Sequence, residues 1–277
     1  MPSSTNTKIA IYDSGYGGLT VLKELLKSMP QYDYVYLGDN ARTPYGSRSV
    51  ETICKFSEEA VDFLFKKGCS LIIIACNTVS SVALRHLQEK YLRAPGITDH
   101  KILGVVRPLA EEAVITTKKG MIGIVGTKST IASNSYDIEI HKLKPDIKVY
   151  KQACPLLVPL IEENWHKKPE TKMILKKYLR YLKSCNIDTL ILGCTHYPFL
   201  YGDFRRIMGK NVNVPHTGQI IAKSLKNYLE RHPEIEKKLS KKAERLYLTT
   251  DDPEKFKQTG GAFLGCNLDK VEKIQLE

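Results

Sequence analysis

The sequence predicts an α/β protein of two similar domains, each a parallel sheet flanked by helices, with the active site in the cleft between them. Two observations in the 277-residue chain lead to this fold class. Short apolar segments alternate with amphipathic helical segments, which is the pattern of parallel sheets covered by helices. An apolar segment that ends in a cysteine also occurs twice, as "LIIIACNT" (71–78) and as "TLILGCTH" (189–196).

The first segment predicts a strand, a glycine-rich turn and a helix. The residues "KIAIYD" (8–13) form the strand, and "SGYGG" (14–18) forms the turn. The helix that follows ends before Pro30, because proline cannot continue the helical hydrogen bonds. Its apolar residues have helical spacing: Leu22, Leu25, Leu26 and Met29.

A second strand and a second helix are predicted within 32–40 and 49–68. Ser49 is placed as the N-cap of this helix, and Gly68 as the residue that ends it in the left-handed conformation. The predicted buried stripe of the helix consists of Ile53, Phe56, Ala60 and Phe63. Further strands are predicted at 101–106, 121–127, 147–153 and 188–193.

The two cysteine segments indicate an internal repeat. When Cys76 is aligned with Cys194, Gly68 falls on Asn186, and both of these residue types commonly end helices. A nearly equal offset aligns "IAIYDSG" (9–15) with "IGIVGTK" (122–128). The chain therefore predicts two similar halves, each with a hydroxyl-bearing turn after its first strand and a cysteine after a later one.

Composition and charge exclude several classes of protein. No apolar run approaches the roughly 18 residues of a membrane span, and the polar start, 1–10, predicts no secretory signal, so a cytoplasmic location is expected. The net charge of +12 has a local excess at 223–246, which also carries glutamates and helical leucines. This excess is interpreted as a solvated helical face, because no nucleic-acid-binding motif accompanies it.

The chain has seven cysteines, and no two of them form a Cys-x-x-Cys pair. Structural zinc needs clustered ligands, so no metal site is predicted. Cys76 and Cys194 stand apart because they share a position at the end of a strand. The others are interpreted as small buried side chains with free thiols: Cys54, Cys69, Cys154, Cys185 and Cys266.

Two thiols that face each other could invert a stereocentre. Ligands of doubly wound sheets bind beyond the carboxyl ends of the strands, where Cys76 and Cys194 are both expected. A thiolate on one face of a carbon atom can remove a proton while a thiol on the other face delivers one, and each transfer contributes about 10²- to 10⁴-fold. Both cysteines precede a predicted helix, whose N-terminus lowers the pKa of a thiol.

Six motifs, in the same order as in the family, resemble the glutamate racemase family and extend over nearly the whole chain. The motifs are "DSGYGGL" (13–19), "GDNARTPYG" (38–46), "ACNT" (75–78), "CPLLVPLIEE" (154–163), "GCTHYP" (193–198) and "TTDDPEKF" (249–256). The resemblance implies interconversion of L- and D-glutamate without a cofactor, which supplies D-glutamate for peptidoglycan. It also implies that one domain is inserted within the other, as 1–98 plus 211–277 and 99–210.

The resemblance implies a role for each candidate site residue. Cys76 and Cys194 are the two acid/base residues, assisted by Asp13 and His196. The substrate-binding residues are Asp13, Ser14, Tyr45, Gly46, Asn77, Thr78, Thr127, Thr130, Thr195 and His196. Hydroxyl, amide and backbone N–H groups suit carboxylates, and a carboxylate suits an ammonium group. The expected partner is the small-molecule substrate glutamate, with no membrane and no specific nucleic acid, and a homodimer is left open.

The sequence departs from the family pattern at three places. Arg107 stands where an acidic residue is usual, His216-Thr217 precede a glycine where Asp-Ser is usual, and Val79 follows "CNT" where alanine is common. None of these positions is a cysteine or part of the Pro-Tyr-Gly element. The first two leave regulation, domain contacts and catalytic efficiency open.

Three other functions remain open at this level. Cys194 and His196 could form the nucleophilic pair of a cysteine hydrolase, but that function gives Cys76 no role. An amino-acid-binding module, or a protein that acts mainly on a partner protein, would need no acid/base pair. A racemase of aspartate or hydantoins is the nearest competitor, because only the resemblance of the "DSGYGG" and "PYG" elements favours glutamate.

Overall fold

The computed structural model describes residues 6–92 and 100–277. Within these residues, six parallel strands form a large sheet in the order β4-β3-β1-β2-β8-β9. The strands are β1 Lys8–Asp13, β2 Tyr34–Gly38, β3 Cys69–Ile74, β4 Lys101–Gly104, β8 Arg245–Thr249 and β9 Val271–Lys273. A small parallel sheet has the order β6-β5-β7. Its strands are β5 Met121–Gly126, β6 Lys148–Ala153 and β7 Thr189–Gly193. The predicted α/β class with two parallel sheets is confirmed.

The two sheets repeat one arrangement of three strands. In the large sheet β1 lies between β3 and β2, and in the small sheet β5 lies between β7 and β6. The cysteines that follow β3 and β7 therefore occupy equivalent places beside the central strand. This correspondence is the one indicated by the alignment of the two cysteine segments.

Helices cover both sheets. In chain order they are α1 Leu19–Ser28, α2 Val50–Lys66, α3 Asn77–Val82, α4 Leu84–Leu92, α5 Val106–Thr116, α6 Lys128–Ala132, α7 Ser135–Leu143, α8 Leu157–Glu162, α9 Pro169–Ser184, α10 Tyr201–Met208, α11 Thr217–Arg231, α12 Pro233–Glu236 and α13 Pro253–Leu264. Short 3₁₀ helices are Asn40–Arg42, Tyr45–Ser47, Trp165–Lys167 and Tyr197–Leu200. In the described residues, no helix is both long and apolar enough to span a membrane.

The ends of α2 agree with the sequence, and its buried stripe agrees in part. Ser49 Oγ accepts the Thr52 N–H at 3.2 Å, and Gly68 has a φ of +79°. Ile53 and Ala60 are buried as predicted, but Phe56 and Phe63 are only half-buried and pack at the edge of the core. Phe56 lies at the edge of the helix, where its ring contacts the guanidinium of Arg42 from the 40–48 loop. The residues that do enter the core are Ile53, Ser57, Ala60, Val61 and Leu64.

Two predicted element boundaries also differ. The strand predicted at 101–106 ends at Gly104, and Val106 already begins α5. Cys76 directly precedes α3, as predicted. Cys194 does not directly precede an α-helix, since a 3₁₀ helix lies between it and α10. Pro198 within that segment has no backbone N–H to donate.

The domain boundaries near 98 and 211 stay a prediction, and residue 98 lies outside the described residues. Strand β4 pairs with β3, so residues 101–104 belong to the large sheet. Asn213 forms a bridge with Thr189 at the start of β7. We therefore propose that the inserted domain begins after Gly104 and ends after Asn213.

The two sheets share one hydrophobic cluster. It contains Ile11 and Tyr36 from the large sheet together with Val125 and Leu192 from the small sheet. The outer faces of the sheets pack in separate clusters beneath their own helices. The shared cluster holds the carboxyl ends of the two sets of strands against one cleft.

Candidate active site

A cavity of about 120 Å³ lies between the two sheets and is lined by both Cys76 and Cys194. The cysteines are 5% and 6% exposed, so each sulfur is almost removed from bulk water. The other predicted site residues that line the cavity are Ser14, Tyr45, Gly46, Asn77, Thr78, Thr127, Thr195 and His196. Two predicted residues, Asp13 and Thr130, are buried directly behind this wall. The structure therefore brings all the predicted residues together.

Cys76 lies where β3 ends and α3 begins. Its Sγ is 3.5 Å from Ser14 Oγ, the nearest hydroxyl of the glycine-rich turn. The expected lowering of the pKa is wrong for this thiol. Burial, aided by the charge of Asp13, raises the pKa of Cys76 to about 12, which outweighs the hydrogen bonds that favour the thiolate. One short helix cannot compensate for the loss of water around a buried anion.

Asp13 ends β1 and connects the two domains. Its Oδ1 accepts the Gly15 N–H at 3.0 Å, and its Oδ2 accepts the Thr195 hydroxyl at 3.2 Å. Burial raises the pKa of Asp13, although the charge of His196 and these hydrogen bonds oppose the rise. A carboxyl group with a raised pKa, close to a thiol, is suited to exchanging protons with it.

Cys194 is part of a chain of three polar side chains. Its Sγ is 3.9 Å from His196 Nδ1, and His196 Nε2 is 2.9 Å from Oε1 of Glu162 at the end of α8. Burial alone lowers the pKa of His196, but the hydrogen bonds and charges of Cys194 and Glu162 outweigh it and raise the pKa to about 10. The imidazolium form therefore faces the sulfur at neutral pH.

Three threonine hydroxyls join the two domains beside the cavity. Thr78 Oγ1 lies 2.9 Å from Thr127 Oγ1 and 3.4 Å from Thr130 Oγ1, and the last two oxygens are 3.0 Å apart. Ser129 Oγ donates to the Gly46 carbonyl at 3.0 Å. Thr78 and Thr127 line the cavity, so their hydroxyls can rotate toward an anion there, while Thr130 holds them from behind.

Asn77 has a free donor in a buried place. Its Oδ1 accepts the Tyr136 hydroxyl at 2.6 Å, while its buried Nδ2 has no partner among the described residues. A buried amide without a partner is costly, so this group fits a ligand that accepts a hydrogen bond. Tyr136, on α7, was not predicted, because nothing in the sequence shows that it reaches Asn77.

The glycines of the first turn allow the two domains to approach closely. A Cβ atom on Gly17 would lie 2.2 Å from Thr195 Oγ1 and 2.6 Å from His196 Nδ1. Any side chain at this position would push the "GCTH" segment away from the "DSGYGG" turn. The glycine at position 17 therefore allows close packing against the 193–196 segment, in addition to forming the turn.

A buried carboxylate holds the 40–48 loop that forms one wall of the cavity. Asp39 accepts hydrogen bonds from the Tyr45 hydroxyl, from Arg42 Nε at 2.7 Å and from Thr250 Oγ1 at 2.8 Å. Tyr12 adds its own hydroxyl 3.1 Å from that of Tyr45. The "GDNARTPYG" and "TTDD" motifs thus meet at Asp39, a contact that no sequence pattern indicates.

The cavity is lined by one thiol from each sheet region, with hydrogen-bond donors around them. Within residues 6–92 and 100–277, no group of three or more His, Cys, Asp and Glu side chains is placed to hold a metal ion. The chemistry that these side chains themselves can perform is proton transfer to and from a small anionic molecule.

Residues 19–225 match the model of a protein family described as Asp/Glu/Hydantoin racemase. The chain belongs to this racemase family. Among its relatives, the glutamate racemase of Geobacter metallireducens is 39% identical over 269 residues, which are 97% of each chain. The resemblance of the motifs is thereby confirmed.

Solved structures of the racemase family have the same overall fold. A glutamate racemase isoform from Bacillus anthracis has a TM-score of 0.89 at 34% identity, with 98% of each chain covered. The glutamate racemase of Francisella tularensis, in complex with D-glutamate, has a TM-score of 0.87 at 34% identity, again with 98% of each chain covered.

Two departures of this racemase from the family pattern lie outside the cavity. The Arg107 side chain is 69% exposed and pairs with Glu111 at 2.8 Å. The His216 ring stacks on Tyr201 with centroids 3.9 Å apart. Neither residue lines the cavity that holds the cysteines.

Proposed function

We propose that this protein is a glutamate racemase that interconverts L- and D-glutamate with two cysteines and without a cofactor. The observation that carries the proposal is the placement of Cys76 and Cys194 in one cavity, each at the end of an equivalent strand. The D-glutamate produced would serve peptidoglycan synthesis, which is the role that the family resemblance implies.

The two thiols have unlike neighbours, which supports a different role for each of them in a given direction of the reaction. A protonated imidazole lies 3.9 Å from the Cys194 sulfur. Burial and Asp13 favour the neutral thiol at Cys76. In one direction Cys194 removes the α-proton of the enantiomer that presents it, and Cys76 delivers a proton to the opposite face. In the reverse direction Cys76 is the base and Cys194 is the acid.

The donors around the cavity support an amino dicarboxylate as the substrate. Asn77 Nδ2 and the hydroxyls of Thr78 and Thr127, which line the cavity, can bind carboxylates. The Asp13 carboxylate, directly behind the wall, can balance an ammonium group. The Francisella tularensis relative was solved with D-glutamate bound. We infer that glutamate occupies the cavity of this protein.

Exchange with deuterated water tests the mechanism. Early in a run from L-glutamate, the D-glutamate formed should carry deuterium at its α-carbon, and the remaining L-glutamate should carry little. The base on the L side holds the proton that it has just removed, whereas the acid on the D side has equilibrated with solvent. Chiral chromatography with mass spectrometry at low conversion measures both pools, and circular dichroism follows the net reaction.

Other outcomes of this run point to other functions. Equal early labelling of both enantiomers would indicate a single base that exchanges on both faces. No labelling would indicate a binding module or a hydrolase. L-Aspartate should be labelled about 10- to 100-fold more slowly, because its shorter side chain leaves donors unpaired. Equal labelling of aspartate would assign the protein to a racemase of broader specificity.

A further inference from the structure

The outer face of α9, with the 3₁₀ helix before it, is strongly cationic. Residues 165–184 contain seven Lys and Arg residues and a single acidic residue, Glu170. We define the α9 face as the exposed residues of this segment that the argument uses: Trp165, Met173, Lys176, Lys177, Arg180 and Tyr181. This concentration of charge exceeds that of 223–246, where glutamates alternate with the lysines.

The α9 face is a continuous surface, because the core side of the helix is well defined. The buried residues of α9 follow one another at helical spacing: Thr171, Leu175, Leu179 and Leu182. Met173, Lys177 and Arg180 therefore project on the side opposite the core. The 16 residues of the helix form a stripe about 24 Å long at 1.5 Å per residue.

The cations of the α9 face are not neutralised by neighbouring carboxylates. Elsewhere in the described residues three lysines pair with a glutamate one helical turn away, as Lys142 does with Glu139. Among the described residues, no such ion pair involves Lys176, Lys177 or Arg180. The positive potential of this stripe is therefore available to an external anionic surface.

Large apolar side chains are exposed among these cations. Trp165 is 46% exposed, Met173 66% and Tyr181 50%. Tryptophan and tyrosine favour the headgroup region of a bilayer, where an apolar ring and a polar edge are both satisfied. A nucleic acid backbone would attract the lysines equally well but would gain nothing from an exposed methionine.

We propose that the α9 face docks on a membrane surface that contains anionic phospholipid. The basic side chains would lie at the headgroups, and the three apolar side chains would enter the boundary of the acyl chains. This is attachment of a folded protein to a surface, which needs no spanning helix. The proposal departs from the expectation, made from the sequence, that the protein has no membrane partner.

The fluorescence of Trp165 provides the test, because it is the only tryptophan in the chain. The full-length protein is titrated with vesicles of phosphatidylcholine alone, and with vesicles of equal parts phosphatidylcholine and phosphatidylglycerol. Only the second kind should shift the emission to shorter wavelength and sediment the protein. The shift should weaken between about 0.05 M and about 0.5 M salt, since exposed charges are screened.

Charge reversal separates this face from the overall charge. Each basic residue near an anionic membrane contributes about fivefold to binding, so K176E/K177E/R180E should weaken binding by about 100-fold or more. The control K223E/K226E/K237E reverses three exposed lysines on α11 and after α12 and should change binding much less. M173S/Y181S should weaken vesicle binding about tenfold, because less apolar area enters the interface.

Three outcomes would overturn the proposal. The first is no binding of the protein to the anionic vesicles at low salt. The second is an equal loss of vesicle binding in the control variant K223E/K226E/K237E. The third is binding of the protein to duplex DNA together with unchanged vesicle binding of M173S/Y181S. Racemase activity in solution should be the same for all these variants, because none of the changed residues lines the cavity. A normal racemisation rate therefore shows that a variant is folded. The loss of vesicle binding then results from the substitutions on the α9 face.

Discussion

The hydroxyl of Tyr136 donates a 2.6 Å hydrogen bond to Oδ1 of Asn77, and it does so from the second domain to the first. This bond fixes which end of the amide faces the cavity. With Oδ1 held by Tyr136, the Nδ2 donor is left for the ligand. Tyr136 thus positions the amide of Asn77, and Asn77 supplies the donor.

Tyr136→Phe should raise the KM for glutamate about tenfold and change kcat much less. In the variant the Asn77 amide is free to rotate, so its contact with the substrate is weakened. That contact is made in the ground state and the transition state alike, so KM changes more than kcat. Tyr34→Phe is the matched control, since its buried hydroxyl binds the Met29 carbonyl away from the cavity. An equal change of KM in both variants would indicate general loosening of the fold.

Cys76→Ala and Cys194→Ala should each reduce racemisation by about 10³-fold or more, because each removes one of two obligatory proton transfers. Cys69→Ala is the matched control, as Cys69 is buried at the start of the strand that ends before Cys76. Steady-state rates from both enantiomers provide the measurement. If only Cys194→Ala lost activity, the hydrolase interpretation would gain support over the two-thiol mechanism.

Glu162→Gln should move the alkaline limb of the pH–rate profile to lower pH. Glu162 contributes to the raised pKa of His196, about 10, so its removal lowers that pKa and the imidazolium is lost earlier as the pH rises. The contribution of His196 to the free energy of unfolding is also lost as the pH rises. Protonated His196 stabilises the fold fully below the unfolded pKa of about 6.5, and this contribution disappears as the pH rises through about 10.

The titration of His196 can be followed directly by NMR of its ring protons in the wild-type protein and in Glu162→Gln. An unchanged pKa in the variant would remove Glu162 from the explanation. Glu163→Gln is a suitable control, because Glu163 is an exposed neighbour on the same segment and has no recorded bond to His196 within the described residues.

Gly17→Ala should abolish most activity, by about 100-fold or more, while the protein still folds. The added methyl group would collide with Thr195 and His196, and a displacement of about 1 Å at a catalytic group has effects of this size. Gly202→Ala is the control, because nothing lies within 4 Å of its added Cβ and alanine favours the helix there. Circular dichroism and racemisation assays of both variants, run in parallel, distinguish a local clash from unfolding.

Much of the fold could be predicted, because strands and helices differ in the local spacing of their apolar residues. The exceptions arose where a distant residue decides the environment of a local one. Phe56 fits a helical stripe, yet its ring lies at the edge of the core, where Tyr45 and Arg42 of the 40–48 loop contact it. The strand at 101–106 ends early because Val106 starts a helix, a choice that apolar residues alone do not reveal.

The residues that form the site were easier to predict than the protonation states and contacts of those residues. Strand ends placed the cysteines, the threonines and His196 together, because parallel strands bring their carboxyl ends to one edge. Glu162 lay within a recognised motif, but its bond to His196 depends on how α8 packs against the 193–200 segment of the same domain, which lies more than 30 residues further along the chain. The pKa of Cys76 was predicted in the wrong direction, since burial by both domains cannot be read from one strand and one turn.

The repeated strand order gives the two thiols equivalent places, but their neighbours are unlike. Cys76 has Ser14 and Asp13 beside it, whereas Cys194 has His196 backed by Glu162. The site is therefore nearly two-fold symmetric in its backbone and asymmetric in its charges.

Mirror-image substrates constrain what this asymmetry can do in a glutamate racemase. L- and D-glutamate have the same free energy in water, so the equilibrium constant between them is unity. The ratio kcat/KM must then be identical in the two directions, whatever surrounds each thiol. Between the two directions, kcat and KM can therefore differ only by the same factor, so the enantiomer with the lower KM must also have the lower kcat.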